Sequence, residues 1–404
     1  MRVAYICADP GIPVFGTKGA SVHVQEVVKA MLSRGLDVTL FAQRLGGDVP
    51  EALKNVPIRK LETLPKDSVE IRARAALAAN AKVEAMLEAE GPFDMVYERY
   101  SLWSSAGMDF AKKHGCAGIL EVNAPLIEEQ KKHRELPLEN EAQQIAESVF
   151  AAADAMIAVS PGVKQYLETF EKARGRVHVV ANGVALDRFA PAAEKNARRL
   201  QTLTPSSEVT VGFLGTLKPW HGLATLVEAW ALLRQRGQDV RLLIVGDGPE
   251  HESLHNRIDA LGLLEHVEFT GAVQPENVPE WLGRMDIAVA PYPNMEHFYF
   301  SPLKIYEYMA AGIPVVTTKV GHLESVVAHN RNGMLVEAEN PEKMADCIAS
   351  LIKQPAELRR LGTSARQTAE QEHSWLAAVD RILRIAADTG RLKKHFKKTA
   401  HEEL

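Results

Sequence analysis

Short apolar runs alternate with stretches of helical periodicity along this chain. "RVAYIC" is apolar and rich in branched side chains, and a glycine-rich stretch follows it. "SVHVQEVVKAMLSRG" then places apolar residues at helical spacing and ends at Gly35, and "DVTLFA" is the next apolar run. This pattern predicts a strand–helix–strand unit of about thirty residues, the building block of a parallel sheet. The rhythm continues through "FDMVYE", "GILEV", "AMIAVS" and "VHVVANG", with helical pieces such as "RARAALAANAKVEAMLEAE" between them.

The periodicity then fades. "LDRFAPAAEKNARRLQTLTPSS" carries charges, prolines and serines, and residues 186–207 are expected to form a linker. A second series follows: "EVTVGFLG", "VRLLIVGDG", "HVEFTG", "DIAVAPY", "IPVVTT" and "NGMLVE". Two successive doubly wound α/β domains are the natural reading, residues 1–185 and 208–375. Ligands of such sheets bind beyond the carboxyl ends of the strands, and a crevice between two such domains is an expected site. Residues 376–404 are expected to form a helix that packs back on the first domain. Its basic tail holds Lys393, Lys394, Lys397 and Lys398, read either as solvated or as a lipid-headgroup contact.

Composition narrows the class. The 404 residues are 46% hydrophobic and 25% charged, a soluble globular balance with room for two cores. The net charge of -5 is spread through both halves and gives no field for nucleic acid. Cys7, Cys116 and Cys347 lie far apart, without the spacing of a disulfide framework or zinc ribbon. No stretch has the length of a membrane span, and the first apolar run is too short for a signal peptide. A cytoplasmic protein is expected, with peripheral membrane contact left open.

Candidate chemistry gathers in "SPLKIYEYMAAGIPVV". Ser301 suits a helix cap and Pro302 the first helical position. The amides of Leu303 and Lys304, with the Lys304 charge, would then form an anion site. Glu307 stands one turn further on, in an apolar setting where an unpartnered carboxylate is costly. Two readings are open for it: a ligand for a sugar diol beside a phosphate group, or an exposed or lysine-paired helix residue. Two more loops end strands. "FLGTLKPWHG" offers Gly215, Lys218 and His221, and "IVGDGPE" offers Gly246 and Gly248, where backbone could approach a diphosphate.

In the first half, Gly16, Thr17, Lys18, Gly19 and Ala20 lead into a helix at Ser21, with His23 on its first turn. The loop reads either as phosphate-facing or as a plain turn. Glu98, Arg99, Glu121 and Asn123 follow strands and are candidate ligand contacts or solvated charges. A separate pattern, "HESLH" from His251 to His255, fits the HExxH zinc-protease signature, but Leu261 stands where the longer form needs its third histidine.

The order of "GTKGASVHVQEV", "VSPGV", "VVANGVALDRF", "GFLGTLKPWHG", "VGDGPE", "FTGAV", "APY" and "SPLKIYEYMAAGIPVV" resembles the glycosyltransferases of family 4 over nearly the whole chain. The resemblance implies the GT-B fold, two facing Rossmann-like domains with a cleft between them. It implies retaining transfer of a hexosyl unit from a nucleotide-sugar donor to a hydroxyl of a glycan or lipid-linked acceptor. The donor would lie in the second domain and the acceptor in the first, and the Gly16–Ala20 loop would stand by the donor phosphates and the acceptor.

Glu307 matches the family's ribose-binding glutamate, whereas Tyr299 occupies the place of a second glutamate that contacts the donor sugar. Thr216 and His221 stand where the family usually has arginine and lysine, so Lys218 is expected to supply charge together with Lys304. These cations and the helix starts would stabilise the leaving diphosphate, with no cofactor and no metal. The Asp-x-Asp pair of the other main glycosyltransferase fold is missing. Rival readings keep the fold with other chemistry, as an epimerase or phosphorylase, or as a sugar-nucleotide-binding module without catalysis.

Overall fold

A computed structural model describes residues 1–295, 298 and 301–392. They divide into two compact units. One is Met1–Asn182 with Ser301 and the segment from Trp375; the other is Gly183–Phe298 with Pro302–Ser374.

The first unit is built on a parallel sheet of seven strands: β1 (Arg2–Cys7), β2 (Asp37–Ala42), β3 (Ile58–Lys60), β4 (Met95–Arg99), β5 (Ala117–Val122), β6 (Ala155–Ala158) and β7 (Val177–Val179). Their order is β3-β2-β1-β4-β5-β6-β7, so the direction of winding reverses between β1 and β4. β1 and β5 are buried almost throughout, as parallel strands covered on both faces must be. The six apolar runs read from the sequence are all strands. β3 was not foreseen, because three residues with two cations at a sheet edge carry no apolar signal. The helix Trp375–Asp388 belongs to this unit and packs on the helix Gly19–Ser33, with Arg34 bonded to Asp380 through both ends of the carboxylate at 2.6 and 2.5 Å.

The second unit holds six parallel strands: β8 (Val209–Leu214), β9 (Val240–Val245), β10 (Val267–Phe269), β11 (Ile287–Ala290), β12 (Val315–Thr318) and β13 (Met334–Val336). Their order, β10-β9-β8-β11-β12-β13, reverses between β8 and β11. All six were legible in the apolar pattern. The core centres on Trp230, which is fully buried and donates its indole N–H to the Val240 carbonyl at 2.9 Å.

The expected linker is corrected here. Leu186–Thr202 is a helix of 17 residues, with Phe189, Ala192, Asn196 and Leu200 buried against the second unit. Pro191 is its sixth residue, so helix start rules did not reveal it. Arg199, near its end, clamps Asp286 at 2.5 and 2.8 Å, and Asp286 is fully buried just before β11. The same carboxylate accepts the Thr210 amide of β8 at 2.8 Å. One buried charge thus fastens the helix to two central strands. No described helix is long and apolar enough to cross a membrane.

Removing one partner of a buried ion pair strands the other. Arg199→Ala is expected to destabilise the second unit by about 3 kcal/mol, read from the shift in its denaturant midpoint. A shift no larger than that of Arg198→Ala, an exposed neighbour paired only with Glu194, would show that the clamp is not structural.

Candidate functional site

In the second unit the winding reverses between the paired strands β8 and β11, and Lys304 stands at their carboxyl ends. Its helix, Leu303–Ala310, follows the loops beyond β11. The Lys304 ammonium lies 4.2 Å from the ring centre of Phe213 on β8 and 5.2 Å from that of Tyr292, two residues past β11. A Cβ built on Gly215 would stand 3.1 Å from the ammonium nitrogen. The nitrogen is buried and has no hydrogen-bond acceptor among the described residues. Burial pulls its pKa down to about 7, against a smaller upward effect from Glu307.

Glu307 lies on the same helix, three residues on, and keeps part of its surface accessible. Crowding by protein lifts its carboxyl to about 7, and the positive charges of Arg188 and then Lys304 oppose that rise. The exposed-surface reading of this glutamate is therefore not what the fold produces. Arg188, on the helix read as a linker, was missed because nothing in a charge-rich stretch marks one arginine over the next.

The expected helix start is shifted. Pro302 is the N-cap and no described side chain caps the helix; the Ser301 hydroxyl is buried without a partner among the described residues, so Ser301 does not cap. Leu303 is the first helical residue and is 38% exposed. Tyr299 lies outside the described residues, as do Lys393, Lys394, Lys397 and Lys398.

The two glycine loops pack against each other. A Cβ on Gly246 would lie 2.1 Å from the Gly215 carbonyl oxygen, and one on Gly248 would lie 2.6 Å from the Leu217 amide nitrogen. These glycines let the β8 and β9 loops touch each other. Gly222, in the left-handed region at φ +69°, similarly brings the β8 loop against the Pro291 carbonyl, 1.9 Å from a built Cβ. Within this packed loop, His221 Nδ1 donates to the Thr216 carbonyl at 2.5 Å. Burial first, then Lys304, lowers the His221 pKa to about 4, so it is a neutral ring and supplies no cation. Thr216 is exposed, and Lys218 lies 5.5 Å from the ring centre of the exposed Trp220. The histidines of "HESLH" both pack against Phe269, His251 stacking at 4.9 Å and also bonding Asp247 at 3.2 Å.

In the first unit, four of the expected residues meet in one buried cluster. Arg99 and Glu121 are register partners on β4 and β5. Glu121 accepts from Arg99 at 3.0 Å and from Asn123 at 2.6 Å, bonds His23 Nε2 at 2.9 Å, and accepts from the Tyr97 hydroxyl. Burial alone would raise its pKa, but His23, Arg99 and Tyr97 together hold the carboxyl well below the usual range. His23 is the fifth residue of its helix, and Trp375 meets it edge-on at 4.9 Å.

Glu98 is a correction. It points to the other face of β4, where it is fully buried and accepts from Ser104 at 2.5 Å beneath the helix Ala106–His114. Burial raises its pKa to about 7. Strand alternation accounts for this: Tyr97 and Arg99 share a face and Glu98 takes the opposite one. The same rule could have found Tyr97. Lys18 and Gly19 are exposed at the helix start, and the Ser21 hydroxyl is buried without a partner among the described residues.

Glu121→Gln is expected to cost about 3 kcal/mol at pH 7, because buried Arg99 loses its counter-charge. The native carboxyl has a depressed pKa, so its stabilisation is full above the ordinary value of 4.5 and fades as pH falls below it. Thermal melts at pH 7 and pH 4 should therefore show the gap between variant and parent narrowing at the lower pH. An equal gap at both would refute the ionised-carboxylate account.

The sequence matches two family models: "Glycosyltransferase Family 4" over residues 17–188 and "Glycosyl transferases group 1" over residues 194–368. Among curated relatives, a D-inositol 3-phosphate glycosyltransferase 2 from Catenulispora acidiphila is 28% identical, over 86% of this chain and 84% of that one. A D-inositol 3-phosphate glycosyltransferase from Acidothermus cellulolyticus is also 28% identical, over 95% of this chain and 86% of its own. Among solved structures, sucrose-phosphate synthase from Thermosynechococcus elongatus superimposes with a TM-score of 0.70 at 20% identity, over 96% of this chain and 98% of that one. A glycosyltransferase from Rickettsia africae reaches 0.71 at 20% identity with the same coverage. These structures share its GT-B fold, and with both halves matched in order, the chain belongs to the family 4 glycosyltransferases.

Proposed function

We propose that the chain is a retaining hexosyltransferase that takes its sugar from a nucleotide diphosphate donor. The reading rests on one observation above the others: a buried ammonium without a hydrogen-bond acceptor among the described residues, at the winding reversal of the second sheet, with a carboxylate one turn further along the same helix. An anion there would give Lys304 the charged partner it lacks. A ribose diol alongside would give Glu307 two hydroxyl donors.

The acceptor is a hydroxyl group of a glycan, glycolipid or other glycoconjugate precursor. Its oxygen bonds to the anomeric carbon on the face from which the leaving group departs. The bond from that carbon to the phosphate oxygen breaks with its electron pair, and the β-phosphate takes the acceptor's proton. Negative charge grows on the diphosphate in the transition state, where a fixed ammonium stabilises it most. Lys218 is proposed to add charge from the neighbouring loop. The scheme assigns the neutralising work to protein groups and uses no metal.

A thermal-shift screen with UDP-, GDP- and ADP-sugars tests the reading, since a ligand of the folded state raises the melting temperature. One base class is expected to give a shift that persists in EDTA and is lost in Lys304→Met. Affinity should peak near pH 7: Lys304 loses its proton above that value and Glu307 gains one below it. Glu307→Gln should remove the acid limb. No shift with any donor, or a shift intact in Lys304→Met, would overturn the reading.

The same lysine predicts a stability cost. Its folded pKa lies below the ordinary 10.5, so the fold disfavours the protonated form. The penalty grows as pH falls from 10.5 and is complete below about 7. Ligand-free Lys304→Met should thus be more stable than the parent by on the order of 2 kcal/mol at pH 7, with the advantage shrinking toward pH 10. A variant less stable than the parent at pH 7 would count against the buried charge.

A further inference from the structure

The first unit carries a groove of about 1530 Å³ whose lining residues all belong to that unit. It opens at the carboxyl ends of the strands and spans the winding reversal, from Asp9–Ile12 after β1 to Ser101–Trp103 after β4. This is the position at which doubly wound sheets take ligands. The volume exceeds the roughly 300–1,000 Å³ of ordinary small-molecule pockets. A single sugar ring would leave most of it unfilled.

Two features of the wall define what fits. Arg44, Lys60, Lys66, Arg72 and Arg134 all line it, and none makes an ion pair among the described residues. Elsewhere in the same unit, Arg2, Arg34, Arg59, Arg74 and Arg99 each pair with a carboxylate. Two of the groove's own acids are occupied locally: Asp9 accepts the Gly11 amide and Asp67 the Ser68 amide, each at 2.7 Å. Glu129 and Glu135 also line it. The second feature is apolar. Leu45, Leu64, Val69, Trp103 and Leu126 keep accessible surface in the wall, with Val69 37% exposed. Unpaired cations beside accessible apolar side chains complement a molecule with an anionic group and a hydrocarbon body.

We propose that the acceptor is an anionic amphiphile, a hydroxyl-bearing compound with a phosphoryl or carboxyl group joined to an apolar chain, and that this groove holds it. The inference rests on the transferase reading for the word acceptor; the binding itself does not. The anion meets the Lys60 and Arg72 side of the groove, and the apolar chain lies along Leu64, Val69 and Trp103.

Isothermal titration calorimetry of the full chain tests it with three probes, each below its micelle concentration. These are dodecyl phosphate, the uncharged dodecyl glucoside, and glycerol 1-phosphate, which has the anion without the chain. Dodecyl phosphate is expected to bind at least tenfold more tightly than either of the others. The double variant Lys60→Glu/Arg72→Glu should weaken it at least tenfold. The nucleotide-sugar thermal shift of that variant reports whether its fold is intact; if it is lost, Lys60→Gln/Arg72→Gln takes its place, with the same expected weakening.

Equal binding of the phosphate and the glucoside would overturn the anion requirement. Equal binding of dodecyl phosphate and glycerol 1-phosphate would overturn the amphiphile and point to a soluble phosphorylated acceptor. Unchanged affinity in a folded double variant would overturn the groove. Should the parent chain show no nucleotide-sugar shift while dodecyl phosphate binds as described, the transferase reading fails and the binding site stands.

Discussion

A lysine ammonium held over two aromatic rings, with no hydrogen-bond acceptor among the described residues, sets the terms for the second unit. Taking a cation from water is expensive, and contact with the faces of Phe213 and Tyr292 offsets only a small part of that. The fold holds it there by means that act at a distance from it. The winding reverses between the paired strands β8 and β11, and the diverging connections that leave them make the gap. The Asp286–Arg199 clamp ties the ends of both strands to one helix. Gly222 and Gly246 allow three loops to pack without side chains between them, which fixes the floor beneath the ammonium.

The first unit treats its central charge in the opposite way. Glu121 is as deeply buried as Lys304, yet four side chains satisfy it. A saturated carboxylate has no capacity left for a ligand and acts as a joint between β4, β5 and the helix Gly19–Ser33. An unsatisfied ammonium keeps its capacity. The contrast separates a satisfied charge from an unsatisfied one where burial does not, because both are buried.

The groove of the first unit follows the same logic at the surface. Its cations make no ion pair among the described residues, in a unit whose other arginines are mostly paired, and its apolar side chains remain accessible beside them. Both carboxyl-end sites sit at a winding reversal, since only there do adjacent connections leave in opposite directions and make room.

The succession of strands was legible in the sequence alone, because a parallel strand buried on both faces must be apolar along its length. Twelve of the strands announce themselves in that way, and β3 does not, because three residues at an edge need little burial. The family was legible too, through the order of the motifs that the sequence shares with it. Lys304 and Glu307 could be picked out from helix spacing as two charges one turn apart in an apolar setting.

Tertiary structure decided the rest. Whether Leu186–Thr202 was linker or helix depended on a buried partner, Asp286, that lies far along the chain. Glu98 and Glu121 look alike as acids at strand ends, and only the face each takes against its helix separates a packed carboxyl from the centre of a hydrogen-bond cluster. His221 reads as a cation until Phe213, Tyr292 and Lys304 surround it and hold it neutral. Local pattern dictates backbone; the charge and the company of a side chain are set by the residues that the fold brings to it.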